Sequence, residues 1–194
     1  MRIRVNLAVP SSQAWLDTVL NHFDHFLQDH ANCERKASSM VLSFVAKYPD
    51  RTQMIPKLID ISLEELTHFQ QVYQLMEKRG IQLPSSMEKD LYAKQLFQHC
   101  KTGRDAHLLD RMVIMSVIET RGAERFKMIA DGLTDPELQS FYQQFWISEA
   151  KHGHIFTRLA SYYFTHEQIE ERVKFFVDKE AQIIESLPIR AMLH

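Results

Sequence analysis

Two segments of the chain pair a carboxylate with an imidazole at helical spacing. In "SLEELTHFQQV", residues 62–72, Glu65 stands three residues before His68; in "FWISEAKHGHIF", residues 145–156, Glu149 stands three before His152. On an α-helix such a pair projects from one face. The same face carries Leu58, Ile61, Val72 and Leu75 in the first case and Phe145 and Phe156 in the second, so it reads as core. These are the only two of the 10 histidines with Glu three positions upstream.

A lone glutamate precedes each pair at nearly equal separation: Glu34 lies 31 residues before Glu65, and Glu119 lies 30 before Glu149. Around Glu34 the stripe reads His30, Ala37, Val41 and Val45; around Glu119 it reads Met112, Met115, Ala123 and Phe126. The chain therefore carries twice a helical hairpin with Glu on one arm and Glu-x-x-His on the other. An antiparallel four-helix bundle would bring all six side chains to one level. Four carboxylates in an apolar interior repel and lose hydration unless paired or metal-bound. No comparable set of Lys or Arg occupies these stripes. Two divalent cations balance the four carboxylates, with one imidazole for each, which is the ligand set of di-iron and di-manganese bundles. Mixed carboxylate and imidazole ligands suit iron better than zinc or calcium. The candidate metal ligands are thus Glu34, Glu65, His68, Glu119, Glu149 and His152. The bland alternative is a metal-free helical interaction module with these residues at surface or capping positions.

The elements that must position them are helices. Only 5 Gly and 6 Pro interrupt 194 residues rich in helix formers. The spacing predicts helices over 13–30, 31–47, about 50–56 to Gly80, 87–100, 105–130, from Pro136 to about Phe164, and from Thr165 to about Ser186. Nothing in the composition divides the chain, so one domain over 1–194 is expected, all-α, a four-helix bundle with additional flanking helices. No apolar run is long enough for a membrane span, and "MRIRVNLAVP" lacks the apolar core of a signal peptide. Cys33 and Cys100 form no C-x-x-C pair. A cytoplasmic, non-membrane protein is expected. The net charge of -2 excludes no partner class, because it counts prospective metal ligands as free carboxylates.

Beyond the ligands, the chain resembles the tRNA 2-methylthio-isopentenyladenosine hydroxylases over nearly its whole length. The resemblance is carried by "DHANCERKAS" around Glu34, "LEELTHF" around Glu65, "VIETRGAERF" around Glu119 and "ISEAKHGHIF" around Glu149. It implies a ferritin-like non-haem di-iron monooxygenase that uses O2 and hydroxylates the isopentenyl group of the modified adenosine beside the tRNA anticodon. By the same analogy Glu34, Glu65 and His68 bind one iron, Glu119, Glu149 and His152 the other, and some glutamates bridge. Electrons would come from an external reductase, because no flavin motif or Fe–S cysteine set is present. The residue before each Glu-x-x-His glutamate often orients a histidine ligand in di-iron families; Glu64 suits that role and Ser148 suits it weakly. A ferritin-like or rubrerythrin-like ferroxidase or iron-handling protein shares nearly every ligand and is the alternative. Val72 and Phe156 stand where ribonucleotide reductases keep a radical tyrosine, and Ala123 stands where multicomponent monooxygenases keep a threonine.

A tRNA substrate requires basic residues for its phosphates. Those nearest the ligands in sequence are Arg35, Lys36, Arg121, Arg125, Lys127, Lys151 and Arg158, with a second cluster at Lys94, Lys101, Arg104 and Arg111. Trp146, Tyr142, Tyr162 and Phe126 are either stacking platforms for a base or ordinary core. His30, one turn before Glu34, is expected as a hydrogen-bonded structural histidine, His154 as exposed, and Cys33 as outside the ligand set. A monomer or small oligomer is expected.

Overall fold

The computed structural model describes residues 3–86 and 89–194. Among the described residues there are seven α-helices and no strand: α1 (Gln13–Asn21), α2 (Phe23–Lys47), α3 (Ile55–Lys78), α4 (Leu91–Phe97), α5 (Arg104–Gly132), α6 (Pro136–Ala160) and α7 (His166–Ser186). None is long and apolar enough to cross a membrane. The first boundary departs from expectation. The chain breaks at His22, with φ -129° and ψ 44°, so α1 is short and α2 begins eight residues earlier than the pattern predicts. Neither Pro nor Gly marks this break.

The other helix starts follow local chemistry. Asp90 caps α4 by accepting the Ala93 N–H at 2.8 Å; residues 87 and 88, where the pattern began this helix, lie outside the described residues. Asp135 caps α6 through the Glu137 and Leu138 N–H groups, with Pro136 in the first turn. Thr165 and Gln168 form a reciprocal capping box for α7. α3 ends just before Gly80, whose φ of +71° suits a residue without Cβ.

The chain forms two compact units. The smaller comprises Asn21–Lys89 with Ala191–Leu193, and its frame is the α2–α3 hairpin. Phe26, Leu27, Val41 and Phe44 of α2 and Leu58, Ile61, Val72 and Met76 of α3 are buried apolar residues. Where the helices cross, Ser38 Oγ donates to the Ser62 carbonyl at 2.8 Å and Ser62 Oγ donates to the Ser38 carbonyl at 3.0 Å. Two small hydroxyl residues bring the backbones close and fix the register one turn from Glu34 and Glu65. The N–H of Leu193, the penultimate residue, donates to Asp29 Oδ2 at 2.7 Å and holds the tail on α2.

The larger unit comprises Met1–Leu20, Asp90–Arg190 and His194. In it α5 packs against α6 and α7, and α4 packs against α7. Every residue of α5 from Leu108 to Val117 is buried, including the charged Asp110 and Arg111, so this helix is enclosed on all sides and its buried charges need partners. Gly153 lets α6 approach α5: a Cβ there would stand 2.7 Å from Thr120 Oγ1. A buried ionic network also ties this unit together. Arg121 Nε donates to Glu180 Oε1 at 2.7 Å, Tyr92 donates to the same oxygen at 3.1 Å, and Arg172 pairs with Asp110 at 2.6 Å.

Candidate metal centre

In the smaller unit, α2 supplies Glu34 and α3 supplies Glu65 and His68, with exposures of 4%, 1% and 8%. One ligand atom from each lies within 4.8 Å of the other two. His68 Nδ1 stands 3.3 Å from Glu65 Oε2 and 3.5 Å from Glu34 Oε2. Burial works against a charge on this ring, yet the hydrogen bonds and negative charge of Glu34 and Glu65 outweigh it and raise its pKa to about 10. A metal entering this triad has to displace that proton.

In the larger unit, α5 supplies Glu119 and α6 supplies Glu149 and His152, all buried. Their ligand atoms likewise lie within 4.8 Å of one another. His152 Nδ1 faces Glu149 Oε2 at 3.5 Å. Both units therefore present the same device, a histidine Nδ1 turned toward the carboxylate three residues before it and a further glutamate from the adjoining helix. Carboxylate and imidazole donors at this separation fit an iron-type or manganese-type ion.

The repeat is not perfect. His30, fully buried, stands 2.8 Å from Glu34 Oε1 through Nε2; the position four residues before Glu119 is Met115. The sequence marked His30 as a hydrogen-bonded structural histidine one turn from Glu34, and the hydrogen bond it makes is to Glu34 itself. Glu64 and Ser148 are half-buried on α3 and α6. His154 is half-buried, not exposed as expected, and Cys33 is half-buried.

The basic candidates divide. Arg35, Lys127, Lys151 and Arg158 are exposed, and Lys36 is half-buried. Two assignments need correction. Arg121 is fully buried against Glu180 and the Val9 carbonyl, so its guanidinium belongs to the interior. Arg125 is 4% exposed, donates to Ser11 Oγ at 3.0 Å and stacks 4.4 Å from the Trp15 ring. Burial and the neighbouring Arg121 lower its pKa to about 10, which still leaves it charged at neutral pH. Neither presents itself to a phosphate. In the second cluster Arg111 is buried, whereas Lys94, Lys101 and Arg104 are exposed. Phe126 and Tyr142 are core; Trp146 is half-buried beneath Lys127, and Tyr162 is exposed.

The sequence pattern of the tRNA-(MS[2]IO[6]A)-hydroxylase (MiaE) family matches residues 2–194. The chain belongs to this family. The tRNA 2-(methylsulfanyl)-N(6)-isopentenyladenosine(37) hydroxylase of Pseudomonas putida is 35% identical to it over 181 residues, which cover 93% of this chain and 87% of the relative. The protein of the same name from Salmonella typhimurium is 28% identical, covering 92% and 83%. Among solved structures, a Synechococcus protein with aldehyde deformylating oxygenase activity superposes with a TM-score of 0.93 at 30% identity, covering 99% of this chain and 96% of that one. The fold class is thus ferritin-like and all-α, as the repeated hairpin implied.

Proposed function

We propose that this MiaE-family chain hydroxylates the isopentenyl group of 2-methylthio-isopentenyladenosine beside the tRNA anticodon, with a di-iron centre, O2 and electrons from an external reductase. The observation that carries the reading is the family match over residues 2–194. The two buried Glu-His triads supply the donor set that such chemistry needs.

In this reading Glu34, Glu65 and His68 hold one iron, and Glu119, Glu149 and His152 hold the second. Iron bound there supplies the activation of O2. The chain's own residues supply the rest. Four carboxylates offset the charge of two divalent ions and fix their positions. The buried side chains of Val72 and Phe156, each one turn beyond a ligand histidine, put apolar groups at those two positions. Exposed Arg35, Lys127, Lys151 and Arg158 are the residues left to meet tRNA phosphates, whereas the Lys36 ammonium nitrogen is itself buried. Glu64 orients a ligand histidine, and the protein acts in the cytoplasm as a monomer or small oligomer.

The test is reconstitution with ferrous iron, reductant, O2 and tRNA carrying methylthio-isopentenyladenosine, followed by nucleoside mass spectrometry. A nucleoside one oxygen heavier, absent with His152→Ala, is the expected result. An unchanged nucleoside from iron-loaded protein under several reductants would sink the substrate assignment.

A further inference from the structure

Helix α3 has two faces. One carries the ligands Glu65 and His68 among buried Leu58, Ile61 and Val72. The other points to solvent, yet it is not polar. Ile59, Leu63, Leu66 and Tyr73 are exposed large hydrophobic residues, Leu63 and Leu66 to 59% and 51%. With exposed Gln70 they recur at intervals of four, three, four and three residues. This is the 3.5-residue repeat of a coiled-coil seam, and it runs for about 21 Å along the helix. Single exposed apolar side chains are ordinary, whereas a continuous stripe marks an interaction surface. Leu42 of α2, also exposed, widens it: Ser38 bonds Ser62 across the hairpin, so Leu42, one turn further along α2, stands near the level of Ile59.

The spacing and the charges identify the occupant. A 3.5-residue repeat is matched by another helix. Between Ile59 and Gln74 the exposed residues off the stripe are Asp60, Thr67, Gln71 and Gln74, so the face offers no cation to a phosphate backbone. An antiparallel copy of α3 fits it. Setting Leu63 against the partner's Leu66 puts Ile59 on the partner's Gln70 and Tyr73 on the partner's Pro56, and a two-fold axis repeats each contact. The same register brings Glu77 and Lys78 level with the partner's Arg51 and Asp50. Arg51 and Asp50 already face each other at 3.7 Å, so acid and base alternate in a four-charge cluster at each end. A parallel copy would set Glu77 against Glu77 and Lys78 against Lys78. Antiparallel pairing also opposes the helix dipoles favourably.

We propose that a second copy of this chain covers this face, in a two-fold dimer built on antiparallel α3 helices. A helix pair of this length buries less than the about 800 Å² per partner of a standard interface, so the dimer forms at micromolar concentration. Gln70, the one polar residue of the seam, costs affinity and fixes the register. The dimer stands whether or not RNA is the substrate.

Sedimentation velocity of the full-length iron-loaded protein, from about 1 to 100 μM, reads the equilibrium. The wild-type mass is expected to rise from one chain toward two across that range. Leu63→Glu/Leu66→Glu, at two exposed positions, should weaken pairing at least about tenfold, with iron content and melting temperature unchanged. Gln70→Leu should tighten it about tenfold. Ile59→Glu and Gln70→Lys should each weaken it and their mixture restore it, because residue 59 meets residue 70 only in the antiparallel register. The mass of one chain at every concentration overturns the inference and leaves the face to RNA or to a redox partner. A dimer that survives Leu63→Glu/Leu66→Glu, or a mixture no tighter than its components, overturns it as well. Turnover of tRNA by a strictly monomeric protein sinks this inference alone; a dimer that leaves the nucleoside unchanged sinks the proposed function alone.

Discussion

His30 Nε2 and Glu34 Oε1 are 2.8 Å apart, one helical turn from each other and buried. Since a carboxylate only accepts, the imidazole donates through Nε2. The bond holds one oxygen of Glu34 while Oε2 turns toward His68 at 3.5 Å. The other hairpin has Met115 at the matching position, so the two halves of the repeat hold their lone glutamates differently.

Groups that hydrogen-bond a metal ligand typically contribute 10-fold to 100-fold in metal affinity. His30→Leu is therefore expected to weaken iron binding by about that range, and His30→Gln, whose amide reaches a similar point, to restore most of it. Titration against a competing chelator checks this. Equal affinity in wild type and His30→Leu would remove any orienting role.

The Arg121–Glu180 pair buries two charges, each with no exposed surface. Removing Glu180 takes away the fully buried counter-charge and leaves Arg121 with Glu124, Ser11 and the Val9 carbonyl, a loss of up to about 3–5 kcal/mol. Glu180→Ala should therefore lower the unfolding free energy by that amount in a denaturant titration, while Arg121→Met/Glu180→Leu should recover much of it. A loss below 1 kcal/mol for Glu180→Ala would show that the pair is offset elsewhere.

Gly153 adjoins His152, and an added methyl would sit 2.7 Å from Thr120 Oγ1, which already donates to the Ser116 carbonyl at 2.7 Å. Gly153→Ala should destabilise by about 1–3 kcal/mol through overpacking, read as a lowered melting temperature. Thr120→Ala in the same chain should relieve it. Unchanged melting in the single variant would mean that α6 shifts freely.

Cys100 is half-buried, and burial, with the Asp110 charge added, raises its thiol from the ordinary 9.0 to about 11. Only the thiolate alkylates, so at pH 8 the reactive fraction is smaller than for a free thiol. Labelling of Cys100 by iodoacetamide, followed by mass spectrometry, should accelerate with pH up to about 11. A plateau reached near pH 9 would contradict the assignment.

Much of the candidate centre was legible because helical spacing alone places i and i+3 on one face, and because apolar neighbours around Glu65 and Glu149 mark that face as buried. The cap at Thr165 was legible for the same local reason, and that of α6 to within Thr134 or Asp135, the structure deciding for Asp135. The break at His22 was not, since neither Pro nor Gly signals it. Arg121 and Arg125 were misread as phosphate contacts. Their partners Glu180, Ser11 and Trp15 are 59, 114 and 110 residues away in sequence, and no local pattern links them. The amino-acid sequence by itself determined the all-helical class, the repeated Glu and Glu-x-x-His pattern and the family, because each rests on short-range spacing or on residue identity. Only the tertiary structure decided which basic residues are interior, that His30 holds Glu34, and that Leu193 ties the tail to Asp29. Those relationships depend on side chains brought together by packing, where burial rather than spacing fixes what a charged or polar group must do.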